Sequence, residues 1–273
     1  MPVSRLRRPP CALRVAVLTA ATALLCVLSP AAAPAASAFA PGPVGAEQVP
    51  GMDVSRHQGT VDWQGAWNSG ARWAYVKATE GKGFQSPTFA EQFQGAYDVG
   101  MIRGAYHFGR PDTSGAAEQA RNLVDHGGQW ADDGRTLPPA LDIEYNPTGG
   151  DACYGRSRSE IVAWIGEFSD TVHELTGRYP AIYTTTDWWT QCTGNDGSFG
   201  ATNPLWIARY AASPGTLPSG WSDYTFWQYA DAGTFPGDQN WFNGTLEELE
   251  ALAEADATDC LPAGRACHAP PGD

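Results

Sequence analysis

Seven short apolar segments recur along the chain and are separated by stretches with the patterns of helices and loops. Most of these segments are apolar on both faces, which is typical of parallel strands buried between layers of helices. Alternating β and α units over about 200 residues predict an α/β fold, specifically an irregular, TIM-like β/α barrel in a single domain. The predicted strands are Gly51 to Ser55, Trp73 to Ala78, Ile102 to Phe108, Ala140 to Glu144, Ala181 to Thr184, Leu205 to Arg209 and Tyr224 to Tyr229.

The predicted helices have recognisable starts and ends. Residues 157 to 176 carry an apolar stripe at helical spacing, and Gly177 is expected to end that helix. The predicted starts are Ser86-Pro87, with a cap and a first-turn proline, and the capping-box pairs Ser157 with Glu160 and Thr245 with Glu248. The stripe expected to pack in the core is Ile161, Trp164, Ile165, Phe168, Val172 and Leu175.

Residues 1 to 40 differ in composition from the rest of the chain. They contain four arginines and no acidic residue, followed by the apolar run Val15 to Leu28 and the small-residue stretch Ala36-Ser-Ala38. This order predicts a secretory signal peptide. The apolar run is about 14 residues long, short of the roughly 20 that cross a bilayer, so we favour a secreted protein without stable membrane association over a retained anchor. The predicted organisation is a signal peptide at 1–40, a leader at 41–48, the main domain at 49–255 and a tail at 256–273.

The chain is acidic, with 17 basic and 30 acidic residues and a formal net charge of −13. All four basic residues of the predicted signal peptide are lost on its removal, which makes the net charge about −17. This charge argues against nucleic acid as a partner. A cationic substrate would suit it, but solubility outside the cell is the simpler explanation.

Four cysteines remain once Cys11 and Cys26 leave with the signal peptide. In an oxidising compartment an even number predicts disulfides, and four cysteines allow three pairings. We favour Cys153 with Cys192 and Cys260 with Cys267, because the second pair closes a short loop in a Pro-rich tail.

Acidic residues at or near the ends of three predicted strands are the strongest functional signal. Asp53 lies in the first strand, Asp142 and Glu144 in the fourth, and Asp238 soon after the seventh. Because side chains alternate along a strand, Asp142 and Glu144 point to the same face. Repulsion and partial burial raise the pKa of one member of such a pair, which keeps a proton available near neutral pH. Proton donation to a leaving oxygen is what glycoside hydrolysis requires.

Other kinds of chemistry fit the sequence less well. Acids at strand ends can instead bond to arginines or cap helices, and carboxylates suit calcium or magnesium, but no Asp-x-Asp-x-Asp-Gly loop is present. The five histidines lack zinc spacing, and no Gly-x-Ser-x-Gly elbow favours a serine hydrolase. Many aromatic residues lie in or beside the strand ends, and most are better interpreted as core. We therefore predict no metal and no cofactor.

Five segments in order resemble glycoside hydrolase family 25, the N-acetylmuramidase lysozymes. The resemblance covers roughly Gly51 to Leu252 and implies an irregular β/α barrel that cleaves the β-1,4 bond between N-acetylmuramic acid and N-acetylglucosamine. The segments are Asp53-Val-Ser-Arg-His-Gln-Gly59, Tyr75-Val-Lys-Ala-Thr-Glu-Gly81, Gly104-Ala-Tyr-His-Phe108, Leu141-Asp-Ile-Glu144 and Phe226-Trp-Gln-Tyr229.

The resemblance also implies roles for individual residues. It makes Glu144 the general acid and Asp142 its partner near the substrate acetamido group, with Asp53 and Asp238 as further catalytic acids of the cleft. Cys153-Tyr-Gly155 and Cys192-Thr-Gly194 resemble a subgroup in which these cysteines pair. The implied substrate-binding residues are Tyr106, Tyr183, Trp206, Glu80 and Gln228.

The chain departs from the family pattern at two places. Arg56-His57 stands where family members often have His-Trp, and Arg209-Tyr210 stands where an aromatic residue or His is common. Substrate contacts at these positions are therefore not implied. The expected partner is the glycan strand of peptidoglycan, bound by a monomer.

Two alternatives and two routes of catalysis stay open. A chitinase-like N-acetylglucosaminidase also uses an Asp-x-Glu pair, although its longer Asp-x-x-Asp-x-Asp-x-Glu run is absent, and a non-catalytic wall-binding domain is the other alternative. Asp142 either stabilises the oxocarbenium ion or orients the substrate's own N-acetyl oxygen for attack. The stereochemical outcome follows from neither the residues nor the resemblance.

Overall fold

The computed structural model describes residues 47–254. The predicted signal peptide, most of the leader, the tail and the Cys260–Cys267 pair lie outside the described residues. Nine strands are described: β1 Gln48–Val54, β2 Trp73–Glu80, β3 Phe84–Gln85, β4 Ile102–Phe108, β5 Ala140–Asp142, β6 Ala181–Thr184, β7 Leu205–Ala208, β8 Phe226–Ala230 and β9 Asp238–Asn243. The α-helices are α1 Trp63–Asn68, α2 Phe89–Asp98, α3 Ala116–Asp125, α4 Arg158–Thr176, α5 Thr186–Thr193 and α6 Leu246–Leu252.

Eight of the nine strands close into a barrel. β1, β2 and β4 to β8 run parallel to their neighbours, while β9 closes the ring by pairing antiparallel with both β8 and β1. No α-helix lies between β7 and β8 or between β8 and β9. The predicted irregular β/α barrel is therefore confirmed, with its irregularity located in the last three strands.

The closing strand β9 is absent from the predicted strands, and its sequence explains why. Its residues Asp-Gln-Asn-Trp-Phe-Asn do not form an apolar run. Gln239 and Asn240 are nevertheless almost completely buried. Their burial is tolerated because the Gln239 amide bonds to the backbone of Phe235 and the Asn240 amide bonds to Asp53. A buried strand that contains satisfied amides cannot be recognised from hydrophobic pattern alone.

Two glycines make room for large aromatic side chains inside the barrel. A Cβ on Gly51 would lie 2.2 Å from the ring of Trp73, and a Cβ on Gly104 would lie 2.2 Å from the ring of Tyr75. Trp73, Tyr75 and Trp206 fill the interior and are almost completely buried. This packed floor leaves only the carboxyl end of the barrel open to polar groups.

Most of the predicted helix boundaries agree with the structure. Ser157 with Glu160 and Thr245 with Glu248 form complete capping boxes, and Gly177 ends α4 in the left-handed conformation at φ +74°. The prediction at Ser86-Pro87 was wrong, because α2 begins at Phe89 while the backbone of Ser86 remains bonded to Ala78.

The apolar stripe of α4 is buried from Ile161 to Val172, as predicted. Leu175, in the last turn, is 49% exposed, so its assignment to the core was wrong. The helix ends one residue later, before another turn could extend the buried face.

One predicted disulfide lies within the described residues. Cys153, in the segment after β5, bonds to Cys192 in α5, and the two Cα atoms are 5.3 Å apart. The prediction of this pair is confirmed. The bond ties the segment that follows Glu144 to the helix that follows β6. In residues 47–254, no helix is both long and apolar enough to cross a membrane.

Candidate active site

The four predicted acids meet at one end of the barrel. Asp53 lies one residue before the end of β1, Asp142 ends β5, and Glu144 follows two residues later. Because β9 runs antiparallel, its first residue, Asp238, lies at the same end and is directly opposite Asp53 in the strand register. The structure thus brings together acids that are up to 185 positions apart in the sequence.

A cleft at this end is lined by all four acids and by most of the other predicted site residues. Tyr106, Tyr183, Trp206 and Gln228 line it, whereas Glu80 does not. The lining residues are Asp53, Ser55, His57, Lys77, Tyr106, Phe108, Asp142, Glu144, Tyr183, Trp206, Gln228 and Asp238.

Asp53 is held by two side-chain amides. Its Oδ2 accepts hydrogen bonds from Gln228 Nε2 at 2.8 Å and from Asn240 Nδ2 at 2.7 Å. Burial raises the pKa of Asp53 to about 6, although these two hydrogen bonds act in the opposite direction. Asp53 is therefore a fixed carboxyl group whose charge changes within the physiological pH range.

Gln228 is the centre of a hydrogen-bond network across the cleft. Its Nε2 also donates to Asp238 Oδ2 at 3.1 Å, and its Oε1 accepts from Tyr183 at 2.9 Å and from Tyr210 at 3.0 Å. The amide of Gln228 is 2% exposed. Because its donors and acceptor are engaged with site residues, Gln228 fixes the positions of its neighbours on three strands.

Of the four acids in the cleft, Asp142 and Glu144 are the closest in sequence, and they differ in exposure. Asp142 is buried, and burial together with the charge of Glu144 raises its pKa well above the ordinary value. Glu144 is partly exposed, and burial raises its pKa to about 6 although Lys77 acts to lower it. A partly exposed carboxyl group with a pKa near 6 can hold a proton and also reach a ligand.

Asp238 has a pKa far above the ordinary value of an aspartate. Burial raises it to about 8, and the negative charges of Asp53, Asp231 and Glu144 add to the shift. At neutral pH this carboxyl group is therefore largely protonated. In its protonated form it can donate a hydrogen bond to a ligand, whereas an ionised carboxylate can only accept one.

Lys77 is a site residue that was not predicted from the sequence. Its ammonium lines the cleft, forms an ion pair with Glu80 Oε2 at 2.7 Å, and lowers the pKa of Glu144. Arg110 pairs with the other oxygen of Glu80 at 3.4 Å. Burial alone would raise the pKa of Glu80, but these two cations lower it. Glu80 therefore contacts the cleft indirectly, by holding Lys77.

Two further site residues could not be assigned from the sequence. Asn240 lies on the unpredicted strand β9 and bonds Asp53. Tyr154 donates its hydroxyl to the backbone oxygen of Glu144 at 2.8 Å and so fixes the segment after β5. Lys77 could have been recognised as a site residue because it lies within the segment Tyr75 to Gly81, which resembles the family. The sequence around Asn240 and Tyr154 contains no comparable indication.

The three predicted aromatic contacts are unequal. Tyr106 and Tyr183 are each 8% exposed and have edges at the cleft. Trp206 is 1% exposed, because it stacks on Tyr75 at 4.8 Å and donates its indole N–H to Asn240 at 2.8 Å. Trp206 therefore contributes mainly to the floor beneath the acids.

The site has no arrangement suited to a metal ion. Across residues 47–254, no group of three or more His, Cys, Asp or Glu side chains has the geometry to hold one. Proton transfer among carboxyl groups is the chemistry that these side chains can carry out themselves.

Comparisons with known proteins agree on one family. The family model described as Glycosyl hydrolases family 25 matches residues 52–238. The chain is 48% identical over 233 residues to the N,O-diacetylmuramidase of Arthroderma benhamiae, which covers 84% of this chain and 98% of that protein. It is 42% identical over 217 residues to lysozyme M1 of Streptomyces globisporus, covering 78% of this chain and 74% of that protein.

A solved structure gives the same relationship. The muramidase from Acremonium alcalophilum superposes with a TM-score of 0.74 at 56% sequence identity, covering 76% of this chain and 100% of that one.

Proposed function

The chain belongs to glycosyl hydrolases family 25, and we propose that it is a secreted lysozyme that hydrolyses the β-1,4 bond between N-acetylmuramic acid and N-acetylglucosamine in peptidoglycan. Membership of this family makes it a glycoside hydrolase of the lysozyme type. The observation that carries the proposal is the cleft in which Glu144, with a pKa of about 6, lies beside the buried Asp142.

Glu144 is the proposed general acid. It protonates the glycosidic oxygen as the bond to the anomeric carbon breaks, and water supplies the hydroxyl group that the new reducing end carries. A general acid works best when its pKa is near the working pH, and burial brings Glu144 there. Its partial exposure also lets it reach a glycan strand in the cleft.

Asp142 is proposed to assist Glu144 from the end of β5; the strand is shorter than predicted, and Glu144 lies two residues beyond it. Asp142 and Glu144 are two residues apart, so the protonation state of each carboxyl group changes the pKa of the other. The two groups therefore titrate as a pair. Asp53 and Asp238 complete the acidic wall of the cleft, and the charge of Asp53 adds to the pKa shift of both members of the pair. Tyr106, Tyr183 and Gln228 are the proposed sugar contacts, Glu80 acts through Lys77, and Trp206 supports them from below.

The location and organisation of the protein are also proposals. Residues 1–40 are a signal peptide removed on secretion, 41–48 a leader that extends to the start of β1 at Gln48, 49–255 the catalytic domain and 256–273 a tail with a second disulfide. The enzyme acts as a monomer on the glycan strands of the cell wall. Sequencing the amino terminus of protein from a culture supernatant tests the first of these points.

The bond that is cleaved can be read from the products. Digestion of purified peptidoglycan and mass spectrometry of the borohydride-reduced fragments should give muramic acid at the new reducing end. Glucosamine at that end would contradict the bond assignment. Faster release of reducing sugar from chitin than from peptidoglycan would favour the chitinase alternative, and binding to walls without loss of turbidity would favour a wall-binding domain.

A further inference from the structure

A second pocket lies at the same end of the barrel, beside the catalytic cleft. Its walls come from the start of α5, from Ala208 at the end of β7 and from the segment that follows it. The lining residues are Thr185, Thr186, Asp187, Ala208, Arg209, Pro214 and Thr216. None of these residues was assigned a role in the reaction.

The pocket adjoins the cleft through Gln228. Ala208 is paired with Gln228 in the strand register, and the backbone N–H of Arg209 donates to the backbone oxygen of Gln228 at 3.0 Å. On the other wall, Thr185 follows two residues after Tyr183, which lines the cleft. The pocket therefore borders the cleft on the side of Gln228 and Tyr183.

Two opposite charges line the pocket without pairing with each other. Arg209 and Asp187 are both exposed, and within residues 47–254 neither side chain has an ion pair or a hydrogen bond through its charged group. Two such groups in one pocket would normally be expected to pair when their reach allows it. Here both remain available to a ligand that carries a negative and a positive or N–H group.

The position of Arg209 is restricted by its surroundings. A Cβ on Gly215 would lie only 1.5 Å from Nη1 of Arg209, so the guanidinium lies directly against this glycine, whose φ is +72°. The segment is tied to α5 by a hydrogen bond from Thr186 Oγ1 to the backbone oxygen of Thr216 at 2.8 Å. The guanidinium is therefore held at the pocket and is less free than an arginine on an open surface.

We propose that this pocket binds the peptide stem that muramic acid carries, with a stem carboxylate on Arg209 and a stem amide or amino group on Asp187. A planar guanidinium binds a carboxylate through two parallel hydrogen bonds, and a carboxylate accepts from N–H groups. The stem leaves muramic acid through its lactyl ether, next to the bond that is cleaved. The inference rests on the proposed function, because it concerns the substrate of that same cleft.

The test compares two soluble substrates that differ only in the stem. Uncross-linked glycan strands that carry their stems, and the same strands freed of peptide by an amidase, are digested by the wild-type protein and by Arg209→Gln, Asp187→Asn and Gly215→Ala. The ratio of kcat/KM on stem-bearing to stem-free glycan should fall by about three- to tenfold in Arg209→Gln, the range for charge-assisted bonds at partly exposed sites. Gly215→Ala should lower the ratio similarly, because it displaces Arg209, and Asp187→Asn should lower it less.

Arg121→Gln is the matched control, because it removes an exposed cation from α3, away from both pockets. It should leave the ratio unchanged. An Arg209→Gln ratio equal to that of the wild type, whether both rates fall together or neither falls, would overturn the inference while the proposed function stands. A wild-type protein that cleaves neither substrate would overturn both.

Discussion

At the residue scale, the site brings four carboxyl groups together with little positive charge to compensate them. Lys77 is the only lysine or arginine lining the cleft among the described residues, and it is held by Glu80, which also pairs with Arg110. Burial raises the pKa values of all four acids, and hydrogen bonds or the nearby cation limit the shift at Asp53 and Glu144. The difference between these environments separates the proposed proton donor, Glu144, from the other three acids.

Replacing the proposed general acid should remove most of the activity without unfolding the protein. Glu144→Gln keeps the size of the side chain but cannot donate a proton, so we expect kcat on peptidoglycan to fall at least about a hundredfold. Turbidity loss and reducing-end release measure this. Glu167→Gln, on the exposed face of α4, is the control for a lost carboxylate. A Glu144→Gln protein with nearly wild-type kcat would exclude Glu144 as the acid.

The pH profile should report the charge of Lys77. Because Lys77 lowers the pKa of Glu144, Lys77→Met should raise it, and the acid would keep its proton to a higher pH. If the alkaline limb of the kcat/KM profile reports Glu144, it has its midpoint near pH 6 in the wild type. In Lys77→Met this midpoint should move to a higher pH. Lys82→Met, at the exposed turn after β2, should not move it. A shift to lower pH would show that another group sets this limb.

Short polar motifs single out the proposed catalytic acids in the sequence, whereas no such motif marks the residues that support them. Asp142 and Glu144 stand out because carboxyl groups are unexpected in an otherwise apolar strand. Asn240 and Tyr154 act through single hydrogen bonds to Asp53 and to the backbone of Glu144. Such contacts join distant parts of the chain, and nothing in their local sequence indicates them.

At the element scale, local signals determined the parallel part of the barrel and failed at its closure. The bounds of β4 and β6 were predicted correctly, because β4 is buried at every position except Arg103 and β6 is buried throughout. β9 was missed because two of its three buried residues, Gln239 and Asn240, carry amides and are not apolar. The same strand supplies Asp238, which had been placed only as a residue after a strand.

The disulfide should stabilise the element that follows the catalytic pair. The two cysteines are 39 positions apart, and closing a loop of that length in the unfolded chain corresponds to about 4 kcal/mol in the chain-entropy model. The double variant Cys153→Ala/Cys192→Ala should lose about 2 to 4 kcal/mol of unfolding free energy in urea. Wild-type protein treated with a reductant should approach the same midpoint. An unchanged midpoint in both would mean that the bond adds nothing to stability.

At the scale of the whole molecule, the acidic cleft opposes the stability of the fold as the pH rises. Asp53 and Glu144, with pKa values of about 6, and Asp238, with about 8, all hold protons more tightly in the folded than in the unfolded chain. The stabilisation from these raised values is complete below about pH 4 and is lost as the pH rises through 6 and 8. Acids with lowered pKa values, such as Asp112 and Glu80, stabilise the fold when ionised, and this stabilisation is lost as the pH falls through their folded-state pKa values.

The melting temperature of the wild-type protein should therefore be highest near pH 5 and should fall between pH 5 and pH 8. Asp238→Asn removes the acid whose pKa is raised to about 8, together with its repulsion of Asp53, while the asparagine oxygen can still accept from Gln228. Its melting temperature should fall less over the same interval, as differential scanning calorimetry at both pH values would measure. Asp170→Asn, an exposed acid in the middle of α4, should leave the fall unchanged and controls for net charge. If Asp238→Asn lost as much melting temperature as the wild type, Asp238 would be ionised throughout this range, and its proposed place as a neutral donor in the cleft would be wrong.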